Sequence, residues 1–425
     1  MKHPLAVITS TLSLLSAVCL GADSLSILPK DGRLAVVGDS ITEQKLYSKF
    51  IETYLLTAGG RPDVHVFQFG WGGETAGGFD TRLKNDLGVF SPNVVTLCYG
   101  MNDGTYRPYE NAIGKRYEDS MRSILKKLTE DKIHVVVGTP GAVDSKFFAR
   151  PFPANMKAAD SYNESLAKLG DIGKKLAAEF NEGFADIHGP MMDAMVKAKA
   201  ANGDDFDVCG RDGVHPGPNG HLAMAYAFLK GLGCDGNVGE IVMDASGKTT
   251  VSAGHKVVTS AAGTVELESE RYPFCFDPDS KSSGSTRSLL AFLPFNQDLN
   301  RLTLKVAHLT SDNAKVTWGE ESREFTKAQL EAGVNLAAEF TKTPFDKAFG
   351  GVMNAVAAKQ AYETMIIKGM ISQFRAFNAE TQKDPELGAI FETLRKKFLA
   401  THSLLDSETH AKLVPVKHTL TVTPL

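Results

Sequence analysis

The fold of the N-terminal half is decided by the stretch Leu34-Ala35-Val36-Val37-Gly38-Asp39-Ser40-Ile41-Thr42. Its first four residues are all apolar, which predicts a short strand that is covered on both faces. A turn follows at once at Gly38, and residues 45–58 are then predicted to form a helix. A buried strand that leads through a turn into a helix is typical of a parallel sheet, in which helices connect the strands.

The alternation of strand and helix continues to about residue 232. Further apolar runs and helical spacings predict strands at 64–67, 94–99, 134–138 and 184–187, and helices at 117–131, 160–180 and 219–232. This pattern predicts an α/β fold with three layers, in which helices cover both faces of a parallel sheet.

Four short motifs punctuate this half, and three of them directly follow a predicted strand. They are Gly38-Asp39-Ser40-Ile41-Thr42, Gly70-Trp71-Gly72-Gly73-Glu74-Thr75, Gly100-Met101-Asn102-Asp103 and Asp212-Gly213-Val214-His215. In a parallel sheet the ligand crevice lies beyond the carboxyl ends of the strands. The fourth motif precedes the last predicted helix and can return to that edge, so we expect all four motifs to meet there.

Together the motifs supply the parts of an acyl-transfer site. A serine hydroxyl is inert near neutral pH unless a base takes its proton, and a tetrahedral intermediate is costly unless donors meet its oxyanion. Ser40 is the candidate nucleophile, with His215 as its base and Asp212 as the partner that holds the base. The N–H of Gly73 and the side-chain amide of Asn102 are the candidate donors. The motifs therefore predict ester hydrolysis.

Each motif alone also has a plain structural explanation. A Gly-Asp-Ser turn can simply cap a helix, a glycine-rich loop can be a flexible turn, and Asn102 can brace a loop through its amide. Four unrelated turns do not explain why all four motifs occur in this order, with three at strand ends. Asp39 and Asp103, which are adjacent to the candidate residues, are expected to brace the loops rather than react.

This pattern resembles the SGNH hydrolase family, also called the GDSL esterases, over about residues 34–232. The resemblance implies that Ser40 is the nucleophile, His215 the general base and Asp212 its orienting partner. It implies an SGNH-type oxyanion hole formed by the Ser40 N–H, the Gly73 N–H and the Asn102 side chain. It also implies an acyl-enzyme mechanism that needs no metal and no organic cofactor.

The second motif departs from the family pattern at one position. Phe69 precedes the first glycine, where many members have asparagine. The core of the motif, Gly73-Glu74-Thr75, still fits the family's Gly-acid-Thr pattern. The choice between Gly73 and Gly72 as the backbone donor therefore stays open in the sequence.

The first 22 residues have a different character. A weakly basic start at Lys2 and His3 precedes a mostly apolar run over residues 5–20, and small residues follow at Gly21 and Ala22. This pattern predicts a signal peptide at residues 1–22, and hence a secreted or periplasmic protein; the alternative is a buried N-terminal strand or helix. The run is too short and too rich in Ser and Thr for a good membrane span, and no transmembrane segment is expected elsewhere.

Composition bounds the partners and the role of the cysteines. The 425 residues include 46 basic and 50 acidic ones, a formal net charge of -4, so neither nucleic acid nor an anionic membrane is an expected partner. Cys98 lies in an apolar run and is expected to be buried. Cys209 and Cys234 flank the Asp212/His215 loop and the following helix, and they are the best candidates for a disulfide. No cysteine spacing fits a zinc site.

The pattern of the chain changes after about residue 239, so the catalytic domain is expected at residues 23–239. Short segments separated by turn residues predict a β-sandwich-like region at residues 240–344. Residues 345–410 are rich in Ala, Met and Lys and predict a helical insertion. Residues 411–425 predict a closing strand of the β-region.

An acetylated carbohydrate is the expected substrate and partner. Trp71 and Tyr106 lie on loops at the expected rim of the crevice, where flat rings can stack on a sugar, although ordinary packing explains them equally well. A secreted enzyme with an attached β-region resembles esterases that remove acetyl groups from polysaccharides. Two alternatives stay open: a lipid or aryl ester hydrolase of the lysophospholipase or thioesterase kind, and a polysaccharide-binding protein whose catalysis is vestigial.

Overall fold

The structure, a computed structural model, describes residues 27–425, and the signal peptide predicted at residues 1–22 lies outside the described residues. The N-terminal half consists of β1 (Arg33–Gly38), α1 (Ser40–Glu43), α2 (Tyr47–Leu56), β2 (His65–Gly70), α3 (Ala76–Gly88), β3 (Val94–Cys98), α4 (Asn111–Glu130), β4 (His134–Gly138), α5 (Ala158–Glu179), β5 (Gly183–Ala185), α6 (His188–Asn202) and α7 (Pro218–Gly231). The strands form one parallel sheet in the order β2-β1-β3-β4-β5, flanked by helices. This arrangement confirms the predicted α/β fold.

Strand β1, which lies between β2 and β3, shows where the motif loops leave the sheet. Its side chains alternate between two apolar cores, with Leu34 in one and Ala35 in the other, which is why the run is apolar throughout. At the carboxyl end of the strand, Gly38 is level with Gly70 of β2 on one side and with Cys98 of β3 on the other. Three motif loops therefore start at one edge of the sheet.

The helix predicted at residues 45–58 is present as α2 (Tyr47–Leu56), and a short helix that was not predicted, α1, precedes it. α1 starts at Ser40, directly after the strand, and the chain then turns at Lys45, whose φ is +60°. Because α1 packs closely against the end of β1, that strand end requires a glycine: a Cβ on Gly38 would lie 2.1 Å from Thr42 Oγ1. The turn at Lys45 lets α2 run back along the sheet while Ser40 stays at its edge.

Two longer helices of this half, α3 and α6, were also not predicted, because their sequence signals are weak. α3 begins with Ala76-Gly77-Gly78, a poor helix former, and its start is stabilised by the side chain of Thr75, which accepts a hydrogen bond from the Gly78 N–H. α6 buries a stripe of two methionines and two alanines with helical spacing. Small side chains make such a stripe hard to distinguish from a loop by hydrophobicity.

The C-terminal half contains two further sheets and a helical segment. Its elements are β6 (Asn237–Asp244), β7 (Thr249–Val251), β8 (His255–Ala261), β9 (Thr264–Ser269), α8 (Phe295–Leu299), β10 (Arg301–Ala307), β11 (Asn313–Trp318), β12 (Glu321–Thr326), α9 (Lys327–Ala332), β13 (Val334–Asn335), α10 (Leu336–Glu339), α11 (Asp346–Ile366), α12 (Ser372–Phe374), α13 (Asn378–Lys383), α14 (Pro385–His410) and β14 (Val416–Pro424). One sheet has the order β13-β10-β6-β7, and the other has the order β12-β11-β14-β9-β8. The second sheet is antiparallel throughout, whereas β6 and β10 pair in parallel.

The connections in this half differ from a simple sandwich. β6 starts at Asn237, so the boundary expected between residues 239 and 240 lies inside a strand. The last strand of the chain, β14, lies inside the antiparallel sheet between β11 and β9. The helices of residues 346–410, here called the C-terminal helical segment, are therefore enclosed between strands of the C-terminal half and are not a free tail.

The C-terminal helical segment covers the open edge of the N-terminal sheet. β2 is an edge strand, and its outward-facing backbone groups would otherwise be unpaired. Lys359 of α11 donates a hydrogen bond to the Val66 carbonyl, and Glu363 accepts one from the Gln68 N–H at 2.8 Å. Two side chains of α11 thus form hydrogen bonds with backbone groups of β2 that a neighbouring strand would otherwise pair with.

These side chains belong to a buried cluster of charges. The ammonium of Lys359 lies 2.7 Å from Glu52 and 3.2 Å from Glu363, and all three side chains are at most 1% exposed. Burial raises the pKa of Glu52 to about 7, against the opposite effect of Lys359. Burial would lower the pKa of Lys359, but the surrounding carboxylates raise it above its usual value. The cluster ties α11 to α2 beside the sheet edge.

The disulfide expected between Cys209 and Cys234 is not formed. All four cysteines among residues 27–425 are free thiols. Cys209 is fully buried, and its sulfur lies 3.9 Å from the sulfur of Met195 in the core. It therefore packs as a small apolar residue, and the same is true of Cys98, as expected. Within residues 27–425 no helix is both long enough and apolar enough to cross a membrane.

Candidate active site

Ser40 and His215 meet at the carboxyl edge of the sheet although 175 residues separate them. Ser40 is the first residue of α1, and the preceding Asp39 caps that helix by accepting a hydrogen bond from the Ile41 N–H at 2.9 Å. The hydroxyl of Ser40 lies 2.8 Å from Nε2 of His215. This is the distance at which a histidine can take the proton of a serine.

His215 is oriented by Asp212 from the same loop. Nδ1 of the ring lies 2.6 Å from Oδ2 of Asp212, while Oδ1 accepts hydrogen bonds from the N–H groups of Val214 and His215 at 2.9 Å. Burial opposes ionisation of Asp212, but these hydrogen bonds prevail and lower its pKa. A proton on Nδ1 is thereby held by the carboxylate, which leaves Nε2 free to accept from Ser40.

In the glycine-rich loop after β2, the N–H of Gly73 is unpaired within residues 27–425 while that of Gly72 is not. The N–H of Gly72 already donates to Oε2 of Glu43. The N–H of Gly73 has no acceptor among the described residues, its φ is +73°, and a Cβ added there would meet nothing within 4 Å. Gly73 is therefore open to the crevice, and the geometry favours it over Gly72 as an oxyanion donor.

Asn102 is held with its amide nitrogen toward the same loop. Its Nδ2 donates to the Glu74 carbonyl at 3.0 Å, and its Oδ1 accepts from the Tyr106 hydroxyl at 3.0 Å. These two contacts fix which end of the amide is which. One N–H of the NH₂ group is used by Glu74, and the second is left for an oxyanion.

A buried ion pair holds the glycine-rich loop from behind. Both carboxylate oxygens of Glu74 accept hydrogen bonds from Arg82 at 2.7 Å, and the Tyr99 hydroxyl adds a third at 2.6 Å. Arg82 also pairs with Asp86 at 2.9 Å. Sequence reasoning missed this network, because Glu74 lies in a loop, Arg82 and Asp86 lie in α3, and Tyr99 lies just after β3.

Asp39 and Asp103 brace the loops, as their positions suggested. Asp103 accepts hydrogen bonds from the N–H groups of Ala76 and Gly100, both at 3.0 Å, and so joins the second motif to the third. Burial raises the pKa of Asp103 to about 6 and that of Asp39 to about 7. Neither carboxylate contacts the Ser40 hydroxyl or the His215 ring within the described residues.

Comparison with known sequences agrees with this arrangement. Residues 36–223 match the family of GDSL-like lipases and acylhydrolases. This stretch of the chain is therefore a GDSL-type domain of the SGNH hydrolase family. Over 173 residues the chain is 25% identical to an acetylxylan esterase from Geobacillus stearothermophilus, a match that covers 40% of this chain and 73% of that protein. The protein is therefore an ester-hydrolysing enzyme related to an acetylxylan esterase.

A solved structure shares the fold beyond the GDSL domain. The structure of a gut microbial diltiazem-metabolizing enzyme superimposes with a TM-score of 0.71 at 22% identity. The match covers 94% of this chain and 99% of that one. The C-terminal sheets and helical segment are thus part of an architecture that another protein also has.

The two aromatic residues expected at the rim of this GDSL enzyme both have partners within the protein. The Tyr106 hydroxyl holds Asn102, and its ring stacks on Tyr162 with centroids 5.3 Å apart. The half-buried ring of Trp71 lies 4.8 Å from the guanidinium of Arg82 and 5.0 Å from the ammonium of Lys368. Stacking of either ring on a sugar stays a prediction, and the positioning role of Tyr106 is one that sequence reasoning missed.

One group of side chains has the donor types of a metal site. His65, Asp406 and His410 offer ligand atoms that all lie within 4.8 Å of one another. His65 begins β2, at the opposite end of the strand from the Gly70 loop, so this group is not part of the candidate active site. Asp406 is already paired with His65 at 2.6 Å and with the ammonium of Lys359 at 3.5 Å, a cation that would repel a metal ion.

Proposed function

We propose that this enzyme removes short acyl groups, acetyl above all, from a carbohydrate outside the cytoplasm. The observation that carries the proposal is the continuous chain of contacts from Ser40 through His215 to Asp212. The loop that carries the unpaired Gly73 N–H starts at the same edge of the sheet as the loop that carries Ser40. This combination is what acyl transfer needs and what a purely sugar-binding surface does not need.

The proposed first step is attack of Ser40 on the ester carbonyl. His215 takes the serine proton on Nε2 as the new C–O bond forms, and Asp212 stabilises the imidazolium through Nδ1. The carbonyl electrons move to oxygen, and the resulting oxyanion accepts hydrogen bonds from the N–H groups of Ser40 and Gly73 and from the Asn102 amide. The imidazolium then protonates the leaving alcohol, and an acyl-enzyme remains.

The second step returns the enzyme to its starting state. Water enters where the alcohol left, His215 accepts its proton, and the hydroxide attacks the acyl carbon bound to Ser40. Collapse of the second tetrahedral intermediate breaks the bond to Ser40 Oγ, which recovers its proton from His215. The acid is released, and apart from the ester and water this sequence uses only groups of the chain itself.

The choice of acetylated carbohydrate rests on three separate supports. The relative from Geobacillus stearothermophilus is an acetylxylan esterase, although the identity is 25%. The first 22 residues have the pattern of a signal peptide, which would carry the enzyme to extracellular or periplasmic polysaccharides. Trp71 is half-buried in the loop that carries Gly73, which brings an aromatic side chain close in sequence to the proposed oxyanion donor.

The test is a panel of substrates with the purified enzyme. We expect acetate release from acetylated xylan, pectin or peptidoglycan fragments, with a higher kcat/KM than for p-nitrophenyl acetate, because contacts to the remote sugars can orient the ester. Butyryl and octanoyl esters should be poorer substrates than the acetyl ester. A preference for the octanoyl ester, with no acetate released from any glycan, would favour lipid ester hydrolysis instead.

A further inference from the structure

The C-terminal helical segment reaches the candidate active site through the ion pair of Lys368 with Glu43. The ammonium of Lys368 lies 2.6 Å from Oε1 of Glu43, and Oε2 of Glu43 accepts a hydrogen bond from the Gly72 N–H. Glu43 is the last residue of α1, whose first residue is Ser40. One carboxylate therefore joins the serine helix, the glycine-rich loop and a helix that lies more than 300 residues further along the chain.

Lys368 lies in a turn that packs against the N-terminal half. It lies in a π-helical turn at residues 367–371, a geometry that redirects side chains and is frequent at functional sites. The neighbouring Ile367 and Met370 are buried in the same apolar core as Phe69 of β2. The carbonyl of Ile371 also accepts a hydrogen bond from a side chain of α3. The turn is thus anchored on both sides of the loop that it contacts.

The contact of Glu43 with Gly72 acts on the neighbouring peptide group. The N–H of Gly73 belongs to the peptide that follows Gly72, so holding the Gly72 N–H restricts the direction in which the Gly73 N–H points. The approach is close, since a Cβ on Gly72 would lie 2.8 Å from Glu43 Oε2. Lys368 keeps the carboxylate in place and also lies 5.0 Å from the centre of the Trp71 ring in the same loop.

We propose that Glu43 and Lys368 are positioning residues for the oxyanion hole. Through them the C-terminal helical segment takes part in catalysis without touching the substrate. This inference rests on the proposed function, because it assigns the Gly73 N–H to the oxyanion. It gives the C-terminal half a role in the chemistry itself, in addition to covering the sheet edge.

The expected signature is a loss in kcat with little change in KM. The oxyanion forms only in the transition state, so a misplaced donor lowers turnover and leaves ground-state binding almost intact. Loss of a whole donor costs about 10²–10³-fold in kcat, so loss of its support should cost less, roughly 5- to 50-fold. If the ion pair were purely structural, its loss would lower the melting temperature and leave kcat and KM unchanged.

The experiment compares three variants with p-nitrophenyl acetate. Lys368→Met removes the ammonium but keeps the length of the chain, Lys368→Arg restores the charge, and Glu43→Gln removes the partner. We expect a lower kcat for Lys368→Met and Glu43→Gln, and substantial rescue for Lys368→Arg. The double variant Glu43→Gln/Lys368→Met should lose no more kcat than the worse of the two single variants, since both residues act through one contact.

Lys127 provides a matched control. Its ion pair with Asp80 measures 2.7 Å, and the side chains are 31% and 21% exposed, against 31% and 26% for Lys368 and Glu43. It joins α4 to α3 and makes no contact with the glycine-rich loop. Lys127→Met should therefore keep full kcat, and its melting temperature measures what loss of such a pair costs in stability.

The outcomes separate this inference from the proposed function. If Ser40→Ala keeps its activity, both the proposed function and this inference are wrong. If Ser40→Ala is inactive while both Lys368→Met and Glu43→Gln keep normal kcat, or change only KM, the inference alone is overturned. Should Lys368→Met fail to fold, Glu43→Gln and the charge-preserving Lys368→Arg decide the question by the same criterion, a fall in kcat with little change in KM for Glu43→Gln and near-normal kcat for Lys368→Arg.

Discussion

Two contacts between a serine and a histidine, one in each half of the molecule, have the same length. Ser40 lies 2.8 Å from His215 at the edge of the parallel sheet, and Ser269 lies 2.8 Å from His255 between strands of the C-terminal half. The far nitrogen of His215 faces the carboxylate of Asp212 at 2.6 Å. The far nitrogen of His255 faces a neutral carbonyl, that of Val238, at 3.1 Å.

The surroundings of the two pairs differ as much as their partners. Ser269 is fully buried and also lies 2.9 Å from His418, whose other nitrogen accepts a hydrogen bond from the Trp318 indole. Burial lowers the pKa of His418 to about 3 and also lowers that of His255. Two residue types at hydrogen-bond distance do not make a nucleophile; a carboxylate, an oxyanion donor and access to substrate are also needed.

The largest predicted effect breaks one pair and spares the other. His215→Ala should lower kcat by about 10⁴-fold or more, because the serine then has no base. His255→Ala should leave kcat for p-nitrophenyl acetate within about twofold when the protein is folded, since its pair lacks every other part of a site. Steady-state kinetics of the two variants at one temperature, with circular dichroism to confirm folding, measures the contrast. Equal losses would mean that the two pairs are not distinguished as described.

A second, smaller loss is predicted at the oxyanion. Asn102→Ala should lower kcat by roughly 10²–10³-fold, the usual loss for one donor, with a much smaller change in KM. Tyr106→Phe keeps the ring but frees the amide of Asn102, and it should lose less than Asn102→Ala in the same direction. A change confined to KM in both variants would make Asn102 a substrate-binding residue instead.

Removal of the buried His418 side chain in the C-terminal half should lower the free energy of unfolding and leave kcat unchanged. His418→Ala leaves the Trp318 indole N–H and one hydrogen bond of Ser269 without a partner, at a cost of about 1–3 kcal/mol for each buried group. Urea unfolding followed by Trp fluorescence gives the free energy of unfolding. A stability equal to that of the parent protein would show that water or repacking replaces both contacts.

The smallest effect concerns pH. Because His418 has a folded-state pKa of about 3, it stays neutral in the folded protein while the unfolded chain takes up a proton below about pH 6.5. Stability should therefore fall as the pH is lowered from 6.5 toward 3, by at most about 1.4 kcal/mol per pH unit for this residue. Unfolding curves at pH 7.5, 6.0 and 5.0 for the parent and for His418→Gln should show a weaker dependence in the variant. Identical slopes would exclude this histidine as a contributor.

The same contrast explains what could be predicted from the sequence. The residues Ser40, Gly73, Asn102 and His215 were predicted together because parallel strands deliver their loops to one edge, so that local motifs report a long-range arrangement. Neither Glu43 with Lys368 nor Ser269 with His418 has such a signal. Their partners are separated by 325 and 149 positions in the chain, and only the packing of whole elements brings them into contact.

The prediction for the cysteines was wrong for a related physical reason. Position in the chain placed Cys209 and Cys234 on either side of one loop and helix, but that says nothing about the direction of the side chains. In the fold, Cys209 points into the core against Met195. Disulfides depend on the distance and direction of the Cβ atoms, which spacing alone does not provide.

The central claim is that Ser40, and no other serine, carries the acyl group during turnover. The direct measurement is titration with diethyl p-nitrophenyl phosphate, which traps an activated serine, followed by peptide mass spectrometry. The account predicts a single diethylphosphoryl adduct on Ser40, formed in step with the loss of esterase activity and absent from Ser40→Ala and His215→Ala. An adduct on Ser269 or elsewhere that accompanies inactivation, or full inactivation without label on Ser40, would contradict it.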